Sequence, residues 1–267
     1  MSVLAIDIGN SRVGAAFFTD GKTADPAARI EIGAIDAELP PLLEKLWQAA
    51  KQGREEFTPS PGAAIASVVP SLTPRVARMV QQICGLMPEQ VGVDLDIPLP
   101  NRLTDVSTVG VDRLLGALCA YVNTEQACAI ISAGSALVVD CIDGEGVFLG
   151  GAISPGLAMG AKALNAWAAQ LPPATLEPPT GPIGRNTIEA LNLGLYAAAR
   201  GAVRELVERY ANKLGAWPHV VATGGDARRL LGETGLVDSF IPDLVLQGVA
   251  LVWEHHSRSP RRRARTV

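Results

Sequence analysis

Short apolar runs separated by glycine-containing turns open the chain and predict β-strands. Residues 3–8 and 13–18 are apolar and enclose the turn residues Gly9 and Asn10, which is the pattern of a β-hairpin. Residues 63–69 form a further apolar run, which a proline closes. The first part of the chain is therefore predicted to contain a hairpin and a buried strand.

The same pattern returns in the middle of the chain. Residues 129–133 and 136–142 are apolar and enclose Gly134 and Ser135, and another short strand is predicted over residues 147–152. The repetition indicates an internal duplication, with two related α/β lobes that each open with a glycine-containing hairpin.

Helical spacing of apolar residues is clearest after residue 186. Asn186 and Glu189 have the spacing of a capping box, and the apolar positions recur from there to Tyr210. The proline-rich residues 171–182, just before this helix, are predicted to form an exposed loop. Other helices are predicted over residues 74–87, 111–122 and 244–253. Met87 is the last residue on the apolar face of the first of these helices.

Composition favours a folded protein outside the membrane. The 267 residues are 48% apolar and 19% charged, which argues against extensive disorder. No apolar run approaches the roughly 20 residues that a membrane helix needs, and no secretion signal is evident at the N-terminus. We therefore expect a cytoplasmic protein with no membrane partner.

Charge is distributed unevenly along the chain. The total is −4, but five of the 23 basic residues lie within residues 257–267, so the rest of the chain carries a net charge of −9. An acidic body argues against nucleic acid as a partner, because such a surface needs a basic footprint. The Arg-rich residues 257–267 are predicted to be a disordered tail.

Several common catalytic patterns are missing from the sequence. It contains no GxxxxGK[ST] loop, no GxGxxG after a strand and no HExxH. His219 is the one histidine before residue 255, which argues against a Ser-His-Asp hydrolase. The four cysteines form no CxxC pair and are expected to be buried free thiols.

Two polar clusters have residue types that could carry chemistry, although neither decides the function by itself. Asp7 lies at the end of a predicted strand and before the Gly9 turn, where a carboxylate can hold Mg²⁺ and backbone N–H groups can approach phosphates. An ordinary hairpin turn explains this pattern equally well. Asp112 and Arg113 follow Gly110 at a predicted helix start, where the acid could accept a proton and the arginine could bind an anion. A helix-starting acid beside a solvent-facing arginine is the alternative.

The order of the motifs resembles the type III pantothenate kinases, members of the acetate and sugar kinase/Hsp70/actin superfamily. The similarity extends from the first residues to about Trp253. The matching segments are DIGNS at residues 7–11, ASVVP at 66–70, GVDR at 110–113, GGAISPG at 150–156, GRNT at 184–187 and ATGGDA at 222–227.

The resemblance implies an α/β fold of two actin-like (ribonuclease H-like) lobes, each a mixed β-sheet flanked by helices, with a cleft between them. The expected N-terminal lobe is residues 1–124, completed by the C-terminal helix 243–256. Residues 125–242 would form the second lobe.

The resemblance also implies the site. Asp112 would take the proton from the substrate hydroxyl, Asp7 would serve Mg²⁺, and Thr187 would contact pantothenate in a homodimer whose active site lies near the interface. The remaining pantothenate contacts would be Gly110, Val111 and Arg113. The remaining ATP contacts would be Ile8, Gly9, Asn10, Ser11, Arg12, Val13, Gly14 and Ser135.

One family motif is altered in this chain. The second phosphate motif of the family reads DxGTAxTxD, whereas residues 132–140 read SAGSALVVD. Ser132 replaces a carboxylate at the family's monovalent-cation position, and a neutral hydroxyl cannot balance the charge of K⁺ or NH4⁺. Despite this change, the resemblance implies an ATP- and Mg²⁺-dependent pantothenate kinase of coenzyme A biosynthesis. The alternatives are a weakened or inactive member that acts as a binding or regulatory protein, and a kinase for another small alcohol.

Overall fold

The structure, a computed structural model, describes residues 2–20, 22–23, 27–51 and 61–258. In chain order the strands are β1 (Ser2–Ile8), β2 (Arg12–Thr19), β3 (Lys22–Thr23), β4 (Ala28–Glu31), β5 (Gly62–Ser67), β6 (Pro88–Gln90), β7 (Cys128–Ala133), β8 (Ala136–Ile142), β9 (Phe148–Pro155), β10 (His219–Thr223) and β11 (Ser239–Phe240). The helices are α1 (Ile35–Lys51), α2 (Thr73–Cys84), α3 (Val111–Thr124), α4 (Leu157–Trp167), α5 (Thr187–Leu214), α6 (Ala227–Leu231) and α7 (Leu244–Arg258).

The contacts divide the chain into two compact units. The first unit contains the described residues of 1–99, 105–119 and 243–258, and the second contains residues 100–104 and 120–242. Each unit has one mixed β-sheet flanked by helices, as the predicted fold class requires.

In the first unit the sheet order is β3-β2-β1-β5-β6, and β4 pairs with β2. The strand β1 is antiparallel to β2 and parallel to β5. One sheet face carries Ile6, Ile8 and Val13, which belong to a buried core with Leu39 of α1 and Val76 of α2. The helix α7 contacts β1, β2 and β5. Because side chains alternate between faces, Asp7 points away from the Ile6 and Ile8 core.

In the second unit the sheet order is β11-β10-β7-β8-β9. The strand β7 is antiparallel to β8 and parallel to β10. Ile131 and Val139 form a core with Tyr196, Val203 and Val207 of the long helix α5. Both units therefore contain a hairpin whose first strand has a parallel neighbour on its other side. This shared arrangement agrees with the predicted duplication.

The predicted helix over residues 74–87 is shorter in the structure. The helix α2 ends at Cys84 because Gly85 adopts the left-handed conformation, with φ of 70°, and its N–H donates to the Gln81 carbonyl. Met87 therefore lies outside the helix and is 71% exposed. Assigning it to the apolar face of the helix was wrong.

The proline-rich segment 171–182 lacks regular secondary structure, but Leu176 near its centre is hydrogen-bonded to helix α5. The N–H of Leu176 donates to Asn192 Oδ1, and Tyr196 Oη donates to the Leu176 carbonyl. Leu176 itself packs against the core of the second unit. The expectation of an exposed loop is therefore wrong at this point, because two buried polar side chains of α5 use its backbone as their partner.

Among the described residues, no helix has both the length and the apolar character needed to cross a membrane. All four cysteines are buried and form no disulfide, as the sequence predicted. Of the predicted tail, Ser257 and Arg258 complete α7, and residues 259–267 lie outside the described part of the chain.

Candidate active site

Asp7 is the penultimate residue of β1 in the first unit, just before the hairpin turn. It lies opposite Gly14 of β2 in the strand register. Burial, with the negative charge of Asp112 as the next cause, raises the pKa of Asp7 from 3.8 to about 7, although the positive charge of Arg29 acts in the opposite direction. The carboxylate is thus in an environment that disfavours its ionised form when no cation is bound.

Asp112 lies in the first turn of α3, where free backbone N–H groups favour an acidic side chain. Its Oδ1 accepts a hydrogen bond of 2.9 Å from the N–H of Arg113. Burial raises the pKa of Asp112, and this hydrogen bond and the charge of Arg113 partly offset that effect. The side chain is thus held at the helix start and favours the protonated form more than a free aspartate does.

Gly110 leaves the space that the Asp112 carboxylate occupies. A Cβ atom at Gly110 would lie 2.5 Å from Asp112 Oδ1 and 3.5 Å from Val68 Cγ1. Val68 follows β5 directly, and its N–H donates to the Ile8 carbonyl beside Asp7. Gly110 of the GVDR motif therefore lets α3 begin close to the ends of β5 and β1, and Asp7 lies at the end of β1.

The turn after Asp7 has the compact geometry that the sequence suggested. The N–H of Gly9 donates to the Arg12 carbonyl at 3.0 Å, and the side chains of Asn10 and Ser11 are exposed. Arg12 Nε lies 2.6 Å from Glu31 Oε1 across strands β2 and β4.

Two further predicted nucleotide contacts in this hairpin, Ile8 and Val13, are fully buried. Their side chains belong to the core, so any contact with a ligand must use their backbone.

Ser132 and Ser135 lie in the second unit, at the β7–β8 hairpin. Ser132 is partly buried and neighbours Thr223 of β10 in the parallel register. The turn is tightly enclosed by the backbone, since a Cβ at Gly156 would lie 2.1 Å from the carbonyl oxygen of Gly134.

Gly224 makes a similar approach on the same hairpin. It has φ of +96°, and its Cβ would lie 2.2 Å from the Ala133 carbonyl. Gly156 of GGAISPG and Gly224 of ATGGDA are thus explained by close approach of their backbones to the β7–β8 hairpin.

Asp140 was not among the predicted site residues. It is 3% exposed, and a Cβ at Gly151 would lie 2.3 Å from its Oδ1 atom. In the antiparallel register it lies opposite Ile130 and Gly151. Asp140 is the last residue of the altered second phosphate motif, and that position is the sequence signal that could have drawn attention to it.

Thr187 is the first residue of α5, in the second unit. The preceding Asn186 caps the helix by accepting from the N–H of Glu189 at 2.9 Å, and Glu189 Oε1 accepts from the Asn186 amide at 2.8 Å. The predicted N-cap at Asn186 is therefore present, with Glu189 as its partner, but the return bonds of Glu189 come from the Asn186 side-chain amide and the Arg185 N–H instead of the Asn186 N–H. Thr187 itself is exposed.

Asp7 and Asp112 are the described residues whose chemistry best fits a divalent cation. The described part of the chain has no cluster of three or more metal-ligating side chains. Mg²⁺ commonly uses one or two carboxylates and takes its other ligands from phosphates and water. Two neighbouring carboxylates, each with a raised pKa, form a site that a cation would stabilise, so the residues present fit Mg²⁺.

Comparisons with known proteins identify the family. The sequence profile described as type III pantothenate kinase matches residues 3–209. A protein from Dehalococcoides mccartyi named type III pantothenate kinase is 32% identical over 256 residues, covering 94% of this chain and 97% of that protein.

Solved structures are similar in fold. A Baf family protein from Campylobacter jejuni superposes with a TM-score of 0.62 at 18% identity, covering 96% of this chain and 100% of that one. The activator of 2-hydroxyisocaproyl-CoA dehydratase from Clostridium difficile gives a TM-score of 0.54 at 15% identity, covering 98% of each chain. With the profile match and the identity over nearly its whole length, this chain belongs to the type III pantothenate kinase family.

Proposed function

We propose that this protein transfers the γ-phosphoryl group of ATP to the primary hydroxyl of pantothenate, which gives 4'-phosphopantothenate in the first step of coenzyme A biosynthesis. Family membership supports the reaction. The observation that carries it is the placement of Asp7 and Asp112 in the same unit, although they lie more than 100 positions apart in the sequence. The Cβ position of Gly110 lies against both the Asp112 carboxylate and Val68, and the Val68 N–H donates to the Ile8 carbonyl next to Asp7. A kinase needs such a pair, with one acid for the metal–nucleotide and one for the attacking alcohol.

Asp112 is the proposed catalytic residue. A carboxylate with a raised pKa is a better proton acceptor near neutral pH than an ordinary aspartate. Phosphoryl transfer depends mainly on alignment, so Asp112 would orient the substrate hydroxyl as well as receive its proton. Arg113 offers a positive charge for the pantothenate carboxylate, and Gly110, Val111 and Thr187 are the other proposed substrate contacts.

ATP is assigned to the two glycine hairpins. Asp7 would hold Mg²⁺, which when bound neutralises charge on the transferring phosphoryl group. The exposed Asn10 and Ser11 side chains and the Gly9 turn would contact phosphate oxygens, and Ser135 would contribute from the second hairpin. These hairpins would belong to two actin-like lobes, residues 1–124 with 243–256 and residues 125–242.

A monovalent cation is a weaker part of the proposal. The family position for its ligand is Ser132, which offers a hydroxyl and no charge. Thr223 and the buried Asp140 are on neighbouring strands, so oxygen atoms are available there for K⁺ or NH4⁺. We propose that the cation dependence is weaker than in members with aspartate at this position.

A homodimer is also proposed, with a second copy of this chain as the partner. Large apolar side chains are exposed on β9, α4 and the residues before α5, with Trp167 at 91%, Ile183 at 75% and Ile153 at 63%. All of them lie in the second unit, together with Thr187. The expected result is that Trp167→Asp converts a dimer into a monomer in light scattering. A wild-type protein that is monomeric at micromolar concentration would refute the dimer.

The enzyme assay is direct. Purified protein with ATP, Mg²⁺ and pantothenate should form phosphopantothenate and ADP. Asp112→Asn should lower kcat by about 10²-fold or more, consistent with the contribution of a positioned general base. Glu125→Gln, just beyond the opposite end of the same helix, is the matched control and should retain wild-type activity.

The alternative binding or regulatory role makes the opposite prediction. It requires that the wild-type protein binds pantothenate but gives no turnover with K⁺ or NH4⁺ present. The relative from Dehalococcoides mccartyi carries the name of an enzyme and gives no support to that role. The cytoplasmic location stays a prediction.

A further inference from the structure

Asp7, Gly14 and Arg29 form a row across three strands of the first unit. Asp7 lies opposite Gly14 in the β1–β2 register, and Gly14 lies opposite Arg29 in the β2–β4 register. Residues opposite each other in antiparallel strands project from the same face. The middle position has no side chain, and Arg29 Cγ lies 3.8 Å from the Cβ position of Gly14. The Arg29 side chain thus passes beside Gly14 of β2, on the face that carries Asp7.

The Arg29 side chain is anchored at its charged end. Its Nη2 atom lies 2.8 Å from Asp243 Oδ1, at the residue that precedes α7. This oxygen is buried and has no hydrogen-bond partner among the described residues, so the ionic contact with Arg29 compensates its burial. The same helix contributes Leu246, whose Cδ1 lies 3.4 Å from the Cβ position of Gly14. The start of α7 thus fixes where the guanidinium can be.

Arg29 is also the counter-charge for Asp7. Asp112 repels Asp7, whereas Arg29 attracts it. A like charge pushes a carboxylate away, whereas an opposite charge at a fixed position attracts it. The fixed positive charge of Arg29 thus opposes the displacement of the Asp7 carboxylate that repulsion by Asp112 favours.

We propose that Arg29, anchored by Asp243, is a positioning residue that holds the Asp7 carboxylate in the orientation in which it binds a divalent cation. The proposal rests on the assignment of Mg²⁺ to Asp7 in the proposed function. Arg29 does not contact the substrate in this proposal. It acts through Asp7.

The sign of the effect separates positioning from simple electrostatics. If Arg29 acted on the cation only through its charge, its removal would strengthen cation binding, because a positive charge near the site repels the metal. If Arg29 orients Asp7, its removal weakens cation binding. Groups that orient a metal ligand are typically worth 10- to 100-fold in metal affinity or activity.

The test uses the full-length protein and three variants. Arg29→Met removes the charge, Arg29→Lys keeps it, and Arg75→Met is the control, since Arg75 also forms an ion pair between two elements of the first unit, with Asp36. Mn²⁺ binding is measured by calorimetry in the presence of a non-hydrolysable ATP analogue, and the Mg²⁺ dependence of kcat is measured in parallel. Thermal unfolding of each variant shows whether it is folded.

We expect Arg29→Met to weaken Mn²⁺ binding about tenfold and to raise the Mg²⁺ concentration for half-maximal rate by a similar factor. Arg29→Lys should recover most of this loss, and Arg75→Met should show none. Asp243→Asn, which frees the guanidinium but keeps its charge, should weaken binding severalfold. Unchanged or tighter Mn²⁺ binding in a folded Arg29→Met protein overturns the proposal.

The two proposals fail separately. If the wild-type protein does not phosphorylate pantothenate, the proposed function is lost, but calorimetry still measures Mn²⁺ binding in all variants. If turnover is normal and Arg29→Met binds Mn²⁺ like the wild type, only the role of Arg29 is lost. If Arg29→Met does not fold, the Arg29→Lys and Asp243→Asn variants decide: wild-type Mn²⁺ affinity in both overturns the proposal.

Discussion

Replacing Asp7 with asparagine should stabilise the metal-free protein while destroying its activity. The fold keeps a carboxylate where burial and Asp112 both disfavour its charge. Asparagine has nearly the same shape and no charge. The substitution therefore removes an unfavourable ionisation and retains the packing at the end of β1.

The size of the effect follows from the pKa. It rises from 3.8 in the unfolded chain to about 7 in the folded one. Because the folded pKa is the higher one, Asp7 contributes most to stability below pH 3.8, and the contribution is lost as the pH rises towards 7. Each pKa unit corresponds to 1.36 kcal/mol, so the full difference is about 4 kcal/mol. Between pH 5 and pH 8, the stability gain of Asp7→Asn over wild type should grow by about 2 to 3 kcal/mol.

Urea unfolding followed by tryptophan fluorescence suits this measurement. Trp47 and Trp253, both in the first unit with Asp7, are 9% exposed, whereas Trp167 and Trp217 of the second unit are 91% and 55% exposed. The change in fluorescence therefore reports mainly on the first unit. EDTA is included because a bound cation would stabilise the ionised carboxylate.

Glu44→Gln is the matched control, an exposed carboxylate on α1 whose loss should change stability by less than about 0.5 kcal/mol at either pH. With Mg²⁺ and an ATP analogue in place of EDTA, the wild type should gain stability and Asp7→Asn should not. An Asp7→Asn variant with the same stability gain at pH 5 and pH 8, or with none, would refute the argument that the site disfavours this charge.

The remaining predictions concern the glycines and the altered motif. Gly110→Ala places a methyl group 2.5 Å from Asp112 Oδ1, so kcat should fall about 10²-fold with little change in melting temperature; unchanged kinetics would show that the Asp112 position does not matter. Gly156→Ala places its Cβ 2.1 Å from the Gly134 carbonyl, so differential scanning fluorimetry should show a loss of about 1 to 3 kcal/mol, and calorimetry should show weaker ATP binding. Ser132→Asp should raise kcat or its dependence on K⁺, and identical kinetics in K⁺ and Na⁺ for both proteins would show that the missing carboxylate is not limiting.

Much of the fold could be predicted because its signals are local. A glycine turn between two apolar runs predicts a hairpin, and both such hairpins are present. The helix cap at Asn186 is likewise local, because it joins Asn186 to Glu189, three positions further along the chain. Helix α1 gave no prediction, since Pro40 and Pro41 lie inside it and are typical of breaks. Its burial of Leu39 and Leu43 against the hairpin outweighs that local preference.

The site was predictable only in part. The carboxylates of Asp7 and Asp112 stand in short motifs that a family resemblance can identify. The contact between Arg29 and Asp243 joins residues more than 200 positions apart, and neither belongs to such a motif. Sequence spacing carries no information about that pair, because it depends on how β4 pairs with β2 and on where α7 begins.

The two hairpins differ in the side chains that surround their equivalent positions, Asp7 and Ser132. Asp7 and Ser132 occupy equivalent places, each at the end of the first hairpin strand with a parallel neighbour beside it. In the first unit that neighbour is Ala66, which offers no side-chain polar atom, so in the proposed site the carboxylate of Asp7 would itself supply the cation ligand. In the second unit it is the buried hydroxyl residue Thr223. A phosphate site there can rely on hydroxyl and backbone groups, whereas the first hairpin has no substitute for its acid. Loss of the charge at Ser132 should therefore weaken the enzyme, and loss of the charge at Asp7 should abolish its activity.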